Sequence, residues 1–186
     1  MSLISEILDH NRVFVERREY ESLLTDRFPS KKLVILTCMD TRLVELLPQA
    51  MNLRNGEVKV IKNAGAMVSH PFGSVMRSIL MAVYELDATE IAVVGHHDCG
   101  MTRLNCDQLL EKARQRGIGD DVVSTLSRAG IDLQHWLAGF DDVETSVKES
   151  VNAIVTHPLL PKNIPVHGLL IDPETGALDR VCDGYR

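Results

Sequence analysis

Leu33-Val-Ile-Leu-Thr-Cys-Met-Asp-Thr-Arg42 is the stretch on which the reading of this chain turns. Its first four residues are an apolar run leading into Cys38, and a second run, Ile91-Ala-Val-Val94, leads through Gly95 into His96. Short continuous apolar runs of this kind predict parallel strands buried on both faces, each ending here in a reactive side chain. Open α/β sheets place their ligands outside the carboxyl ends of the strands, where strand order reverses. Neighbouring strands lie about 4.8 Å apart. If these two are adjacent, one metal ion fits between Cys38 and His96, and Cys99, in the turn after His96, closes a third contact.

Two thiolates and an imidazole suit zinc, and three protein ligands leave the fourth tetrahedral position free, which is the arrangement of a catalytic site. Asp40 and Arg42 follow Cys38 closely enough to reach that position or to pair with each other. Residue type alone leaves the nitrogen ligand open, because His96, His97 and Asp98 are consecutive and each can bind a metal. Rival chemistries fail on position. A Cys-x5-Arg phosphate cradle requires Arg where the chain has Val44 or Asn105. There is no Cys-x-x-Cys, no Gly-x-Gly-x-x-Gly after a strand, no phosphate-binding loop and no Gly-x-Ser-x-Gly elbow.

At 186 residues the chain is expected to form a single domain with a substantial core. Hydrophobic residues at 45% and charged residues at 25% fit a soluble globular protein. Aromatics make up only 4%, so the core is built from aliphatic side chains and a stacking platform for single-stranded nucleic acid is not expected. A net charge of -6 without a basic run argues against nucleic acid and anionic membrane surfaces. Neither a signal peptide nor a run of transmembrane length is seen, so the expected compartment is the cytoplasm. In such a reducing setting the cysteines are free thiols or metal ligands, with Cys106 and Cys182 read as small buried hydrophobes.

Along the chain, residues 2–26 predict one or two amphipathic helices outside the sheet, an N-terminal arm extending to about residue 30. A strand at 33–37 precedes a helix at 41–51 that Pro48 ends or kinks. Asn55-Gly56 signals a turn before a strand at 57–62, after which Asn63-Ala-Gly-Ala66 makes a loop of small residues with room for a substrate and Gly65 at positive φ. A helix over 72–86 leads to the strand at 90–95. Glycines divide residues 101–140 into short helices, clearest at 107–116 and 120–128, a candidate cover for the site or oligomer contact. Asp141 with Glu144 predicts a capping box for a helix ending before His157-Pro158. A fourth strand at 165–171 and a short antiparallel edge at 177–182 complete an α/β architecture.

The spacing Cys38-x-Asp40-x-Arg42, with His96-x-x-Cys99 at the end of a later strand, resembles the β-class carbonic anhydrases. Supporting cues are Lys62-Asn-Ala-Gly65, Arg77-Ser78, Gly95-His-His-Asp-Cys-Gly100 and Val166-His-Gly168 with Thr175-Gly176. Thr41 in place of the usual serine, Ala66, and Val58-Lys-Val60 where an aromatic is common bring it nearest the short archaeal-like branch, which includes carbon disulfide hydrolases. The resemblance implies a four-stranded parallel core of order 2-1-3-4 flanked by helices. It also implies zinc held by Cys38, His96 and Cys99, and dimers or multiples of dimers in which an N-terminal helix embraces the partner. The expected activity is reversible hydration of carbon dioxide to bicarbonate by zinc-bound hydroxide, with carbon disulfide or carbonyl sulfide hydrolysis, or a zinc-held scaffold without activity, as alternatives. Asp40 either is held by Arg42 and orients the nucleophile or, released, ligates zinc and shuts the site. Ile61, Ala64, Gly65 and Met67 are candidates for the apolar substrate wall.

Overall fold

A computed structural model describes residues 2–185. Five strands form one sheet in the order β2-β1-β3-β4-β5: β1 (Leu33–Cys38), β2 (Val58–Asn63), β3 (Glu90–His96), β4 (Val166–Ile171) and β5 (Leu178–Cys182). The first four are parallel and β5 pairs antiparallel with β4, so the predicted order 2-1-3-4 and its antiparallel edge are both present. β1 and β3 are neighbours, in register from Leu33 opposite Glu90 to Thr37 opposite Val94.

Alternate residues of the two central strands feed opposite layers, as strand geometry requires. Val34, Leu36, Ile91 and Val93 join Met76 and Ile79 of α3 (Ser74–Glu85) and Val147, Val151 and Ile154 of α7 (Val143–Val155) in one core. Ile35, Ala92 and Val94 face the other way, against Leu43 and Leu47 of α2 (Leu43–Ala50). Both faces are therefore covered, which is why these strands read as unbroken apolar runs. Pro48 lies in the last turn of α2, which stops two residues later at Ala50.

Residues 3–16 form α1 (Leu3–Glu16), followed by a 3₁₀ turn at Glu19–Leu23, and no residue of α1 is buried. Residues 101–140 carry α4 (Cys106–Gln115), α5 (Asp120–Arg128) and α6 (Leu133–Trp136). The two ends of this segment are stitched together, Arg103 N–H donating to the Phe140 carbonyl at 2.7 Å and Phe140 N–H to that of Met101 at 3.2 Å. That bridge delays the next helix, so α7 is capped by Asp142 and not by the expected Asp141. The Asp142 carboxylate accepts from the backbone and the hydroxyl of Thr145, each at 2.7 Å, while Glu144 pairs with Lys148.

Two glycines let α7 lie close on the sheet. A Cβ on Gly95 would stand 2.7 Å from Val147 Cγ2, and one on Gly168 2.8 Å from Val147 Cγ1. Gly95→Val is expected to destabilise the protein by about 1–3 kcal/mol through overpacking. A urea midpoint equal to that of the wild type would contradict this account of the helix–sheet contact.

Candidate metal centre

Cys38 is the last residue of β1 and His96 the last of β3, so the pairing of these strands sets the two side chains at one edge of the sheet. Thr37, fully buried one residue earlier, donates its hydroxyl to the Val94 carbonyl at 3.0 Å and fixes the strand ends against each other. Cys99 returns from the turn after His96, and its Sγ lies 3.9 Å from that of Cys38. The ligand atoms of Cys38, His96 and Cys99 lie within 4.8 Å of one another, and among the described residues no other such group occurs.

The donor set fits zinc. Tetrahedral coordination with zinc–sulfur bonds of about 2.3 Å puts two sulfurs roughly 3.8 Å apart, close to the observed separation. His96 Nδ1 lies 2.8 Å from the His97 carbonyl, which can only accept, so Nδ1 carries the proton and the Nε2 lone pair is free. Nε2 is buried and has no hydrogen-bond partner, an orphan of the kind a cation would satisfy. His97 and Asp98, the other donors the sequence left open, are exposed, and the Asp98 carboxylate turns to Arg42.

Local charge favours a cation at this place. Burial raises the Cys38 thiol, but the adjoining His96 ring and the Gly65 and Asp40 backbone outweigh it and bring its pKa down to about 7. Cys99 goes the other way, to about 11, because burial dominates and the neighbouring Cys38 adds to it. Burial lowers the His96 pKa, yet the neighbouring Cys38 and the His97 carbonyl raise it on balance. Cys38 and His96 thus present lone pairs for which a proton and a metal ion would compete.

Asp40 is bound by Arg42 through both oxygens, Nε to Oδ1 at 3.1 Å and Nη2 to Oδ2 at 2.8 Å, with the Arg42 backbone N–H at 2.9 Å from Oδ1. Its Oδ2 lies 3.8 Å from His96 Nε2. Held in this way, Asp40 faces the ligand group without joining it.

Of the candidate wall residues, Gly65 stands nearest the ligands. It takes φ 82° in a 3₁₀ turn, Ala64–Ala66, and its N–H points at Cys38 Sγ at 3.4 Å. Asn63 holds the turn by bonding both the N–H and the carbonyl of Met67. Ala64 is exposed, Met67 half-buried, and Ile61 half-buried against the α3 and α7 core. The sequence reading missed Met101 and Phe140. A Cβ on Gly65 would stand 3.0 Å from Phe140 Cε1, 3.1 Å from Met101 Cγ and 3.1 Å from Met67 Sδ. Both ends of the 101–140 segment therefore rest beside the ligand group. A cavity of about 490 Å³ opens next to them, lined by Met67, Arg103 and Phe140 among others.

The family model described as carbonic anhydrase matches residues 33–178, which span every element from β1 into β5. The chain belongs to the β-carbonic anhydrase family. A β-carbonic anhydrase from Trichomonas vaginalis superposes with a TM-score of 0.91 at 36% identity, covering all of both chains. A Bacillus subtilis (strain 168) protein with a provisional carbonic anhydrase name, YtiB, is 59% identical over 185 residues, 100% of this chain and 99% of that protein. A carbon disulfide hydrolase of Acidithiobacillus thiooxidans is 28% identical over 178 residues, 89% of this chain and 78% of its own. This chain is thus similar to proteins that bear different activity names.

Arg42 holds the Asp40 carboxyl down at about 2 by hydrogen bonding. Asp40 therefore stabilises the fold fully above its unfolded value of about 4 and loses that contribution as pH falls from about 4 to about 2. In metal-stripped protein, the gap in urea midpoint between wild type and Asp40→Asn is expected to be constant near neutrality and to narrow over that window. A gap that stays constant down to pH 2 would show that the ion pair does not stabilise the fold.

Proposed function

We propose that this protein catalyses the reversible hydration of carbon dioxide to bicarbonate and a proton, with zinc held by Cys38, His96 and Cys99. The observation that carries this reading is the convergence of three ligand atoms on one edge of the sheet, with His96 Nε2 buried and unpartnered and Asp40 locked by Arg42 alongside. When bound at three protein ligands, zinc lowers the pKa of coordinated water from 15.7 toward ~7 and so makes a nucleophile available at neutral pH.

The chain's own groups do the rest. Asp40 stays ionised at every working pH, and Oδ2, which accepts one bond from Arg42, has a second lone pair with which to accept from the attacking water and aim its reactive lone pair. Arg42 keeps that carboxylate from rotating onto the metal and closing the site. The substrate is small, apolar and linear, so it needs an uncharged wall and no clamp. Gly65 and Met67 form that wall with Ala64 at its rim, Met101 and Phe140 extend it, and Ile61 anchors β2 in the core on the α3 and α7 side.

The partner is read as a second copy of this chain, in a homodimer or higher even oligomer. α1 has no buried residue and leaves Leu3, Ile4, Ile7, Leu8 and Val15 more than half exposed, a face that needs a cover. The site of action is read as the cytoplasm, where reduced thiols remain available to zinc. Among the described residues no helix is long and apolar enough to cross a membrane.

Purified protein is expected to hold about one zinc ion per chain and to release protons from carbon dioxide in stopped flow faster than from carbonyl sulfide or carbon disulfide. Turnover of the sulfur gases alone would assign it the hydrolase activity, and zinc without turnover a scaffold role. Arg42→Ala is expected to cut turnover roughly 10- to 100-fold while zinc content is kept, and wild-type turnover in that variant would remove the dyad from the mechanism. Deleting residues 2–24 is expected to halve the mass seen by light scattering, and an unchanged mass would place the subunit contact elsewhere.

A further inference from the structure

Between the ligands His96 and Cys99 the chain makes a turn of two exposed residues, His97 and Asp98. Asp98 takes the left-handed backbone conformation, φ 53°, which Asp and Asn tolerate better than other L-residues. In this conformation its backbone carbonyl and its carboxylate reach one guanidinium. Arg42 Nη2 donates to the Asp98 carbonyl at 3.0 Å and Nη1 to its Oδ2 at 3.0 Å. With the Nε and Nη2 bonds to Asp40, four of the five guanidinium N–H donors are engaged.

The position of this clasp gives it a purpose. β1 and β3 are paired only as far as Thr37 opposite Val94; Cys38 and His96, the strand-end residues beyond it, ladder outward to Asn63 of β2 and Ile171 of β4, so the turns that follow them share no ladder with each other. Arg42 spans the gap, gripping Asp40 on one turn and Asp98 on the other. The Asp98 side chain is 86% exposed, so packing does not hold it there, and a pair this wet adds little to global stability. Its effect is local. Tied at both ends, the guanidinium keeps the turn after Cys38 and the turn after His96 from spreading.

We propose that Asp98 is a positioning residue that, through Arg42, clamps together the turns that follow the ligand-bearing ends of β1 and β3 and slows the loss of the metal. The proposal rests on the metal reading above but is tested by metal release. Zinc-loaded wild type, Asp98→Ala, Asp98→Asn, Arg42→Ala and the double variant D98A/R42A are mixed with excess chromogenic chelator, and the rate of zinc transfer is followed by absorbance. Asp98→Ala is expected to release zinc about tenfold faster. Asp98→Asn keeps an oxygen that accepts from Nη1 and the same backbone preference, and is expected to stay within about threefold of wild type. Without Arg42 the Asp98→Ala change is expected to leave the release rate as it is in Arg42→Ala alone, since Asp98 acts only through Arg42. Should Asp98→Ala fold poorly, Asp98→Gly, which adopts the left-handed backbone with no side chain, is expected to release zinc equally fast.

Release from Asp98→Ala and Asp98→Gly at the wild-type rate would overturn the clamp, and so would an equal acceleration whether or not Arg42 is present. A wild-type chain that takes up no zinc would overturn the metal reading and the clamp together, whereas zinc taken up and released equally by all variants removes only the clamp.

Discussion

Side-by-side parallel pairing of β1 with β3, Thr37 opposite Val94, is the constraint on which the site depends. It brings residues far apart in sequence to one edge, where strands about 4.8 Å apart deliver Cys38 and His96 to a common point. The flanking layers protect that register. Each face of the two strands packs against its own set of helix side chains, so a one-residue slip would exchange the two sets and break both packings, and Gly95 and Gly168 give α7 the close approach that closes one layer.

Around this edge the polar groups divide the work. The His97 carbonyl turns the His96 ring so that Nε2 looks inward, and the Gly65 N–H faces the Cys38 sulfur. Arg42 then binds carboxylates on both turns at once. Its charge-assisted bonds are made at the partly wet rim, where they cost less in desolvation than a buried ion pair and still impose direction. The buried atoms form a group that could hold a metal ion, and the exposed ones position Asp40.

Apolar groups arrive from a different direction. Residues 101–140 form a loop of helices whose ends meet in the Met101–Phe140 bridge, and this bridge rests on the Gly65 turn. Positive φ at Gly65 and Ala66 lets the turn pass beneath those side chains and still present an N–H to Cys38. An excursion from the sheet edge thereby contributes to the surroundings of the ligands.

Strand identity, the buried central pair and the group Cys38, Asp40, Arg42, His96 and Cys99 were legible in the sequence, because apolar runs and fixed motif spacings are local properties of the chain. The surroundings of the Gly65 turn were only partly legible: Gly65 stood out as a glycine in a turn, while Met101 and Phe140, which pack beside it, carry no signal that separates them from ordinary core residues. Asp141 in place of Asp142 as the helix cap was misjudged because a bridge to residues nearly forty positions earlier in the chain holds Phe140 in place. Which nitrogen or carboxylate of residues 96–98 faces the sulfurs was likewise decided by the fold, through the His97 carbonyl and the pull of Arg42 on Asp98. The sequence by itself determined which chemical groups are available and on which strand ends they stand. Only the tertiary structure decided which of them meet, because hydrogen bonds and ion pairs between distant segments depend on through-space geometry that no local pattern encodes.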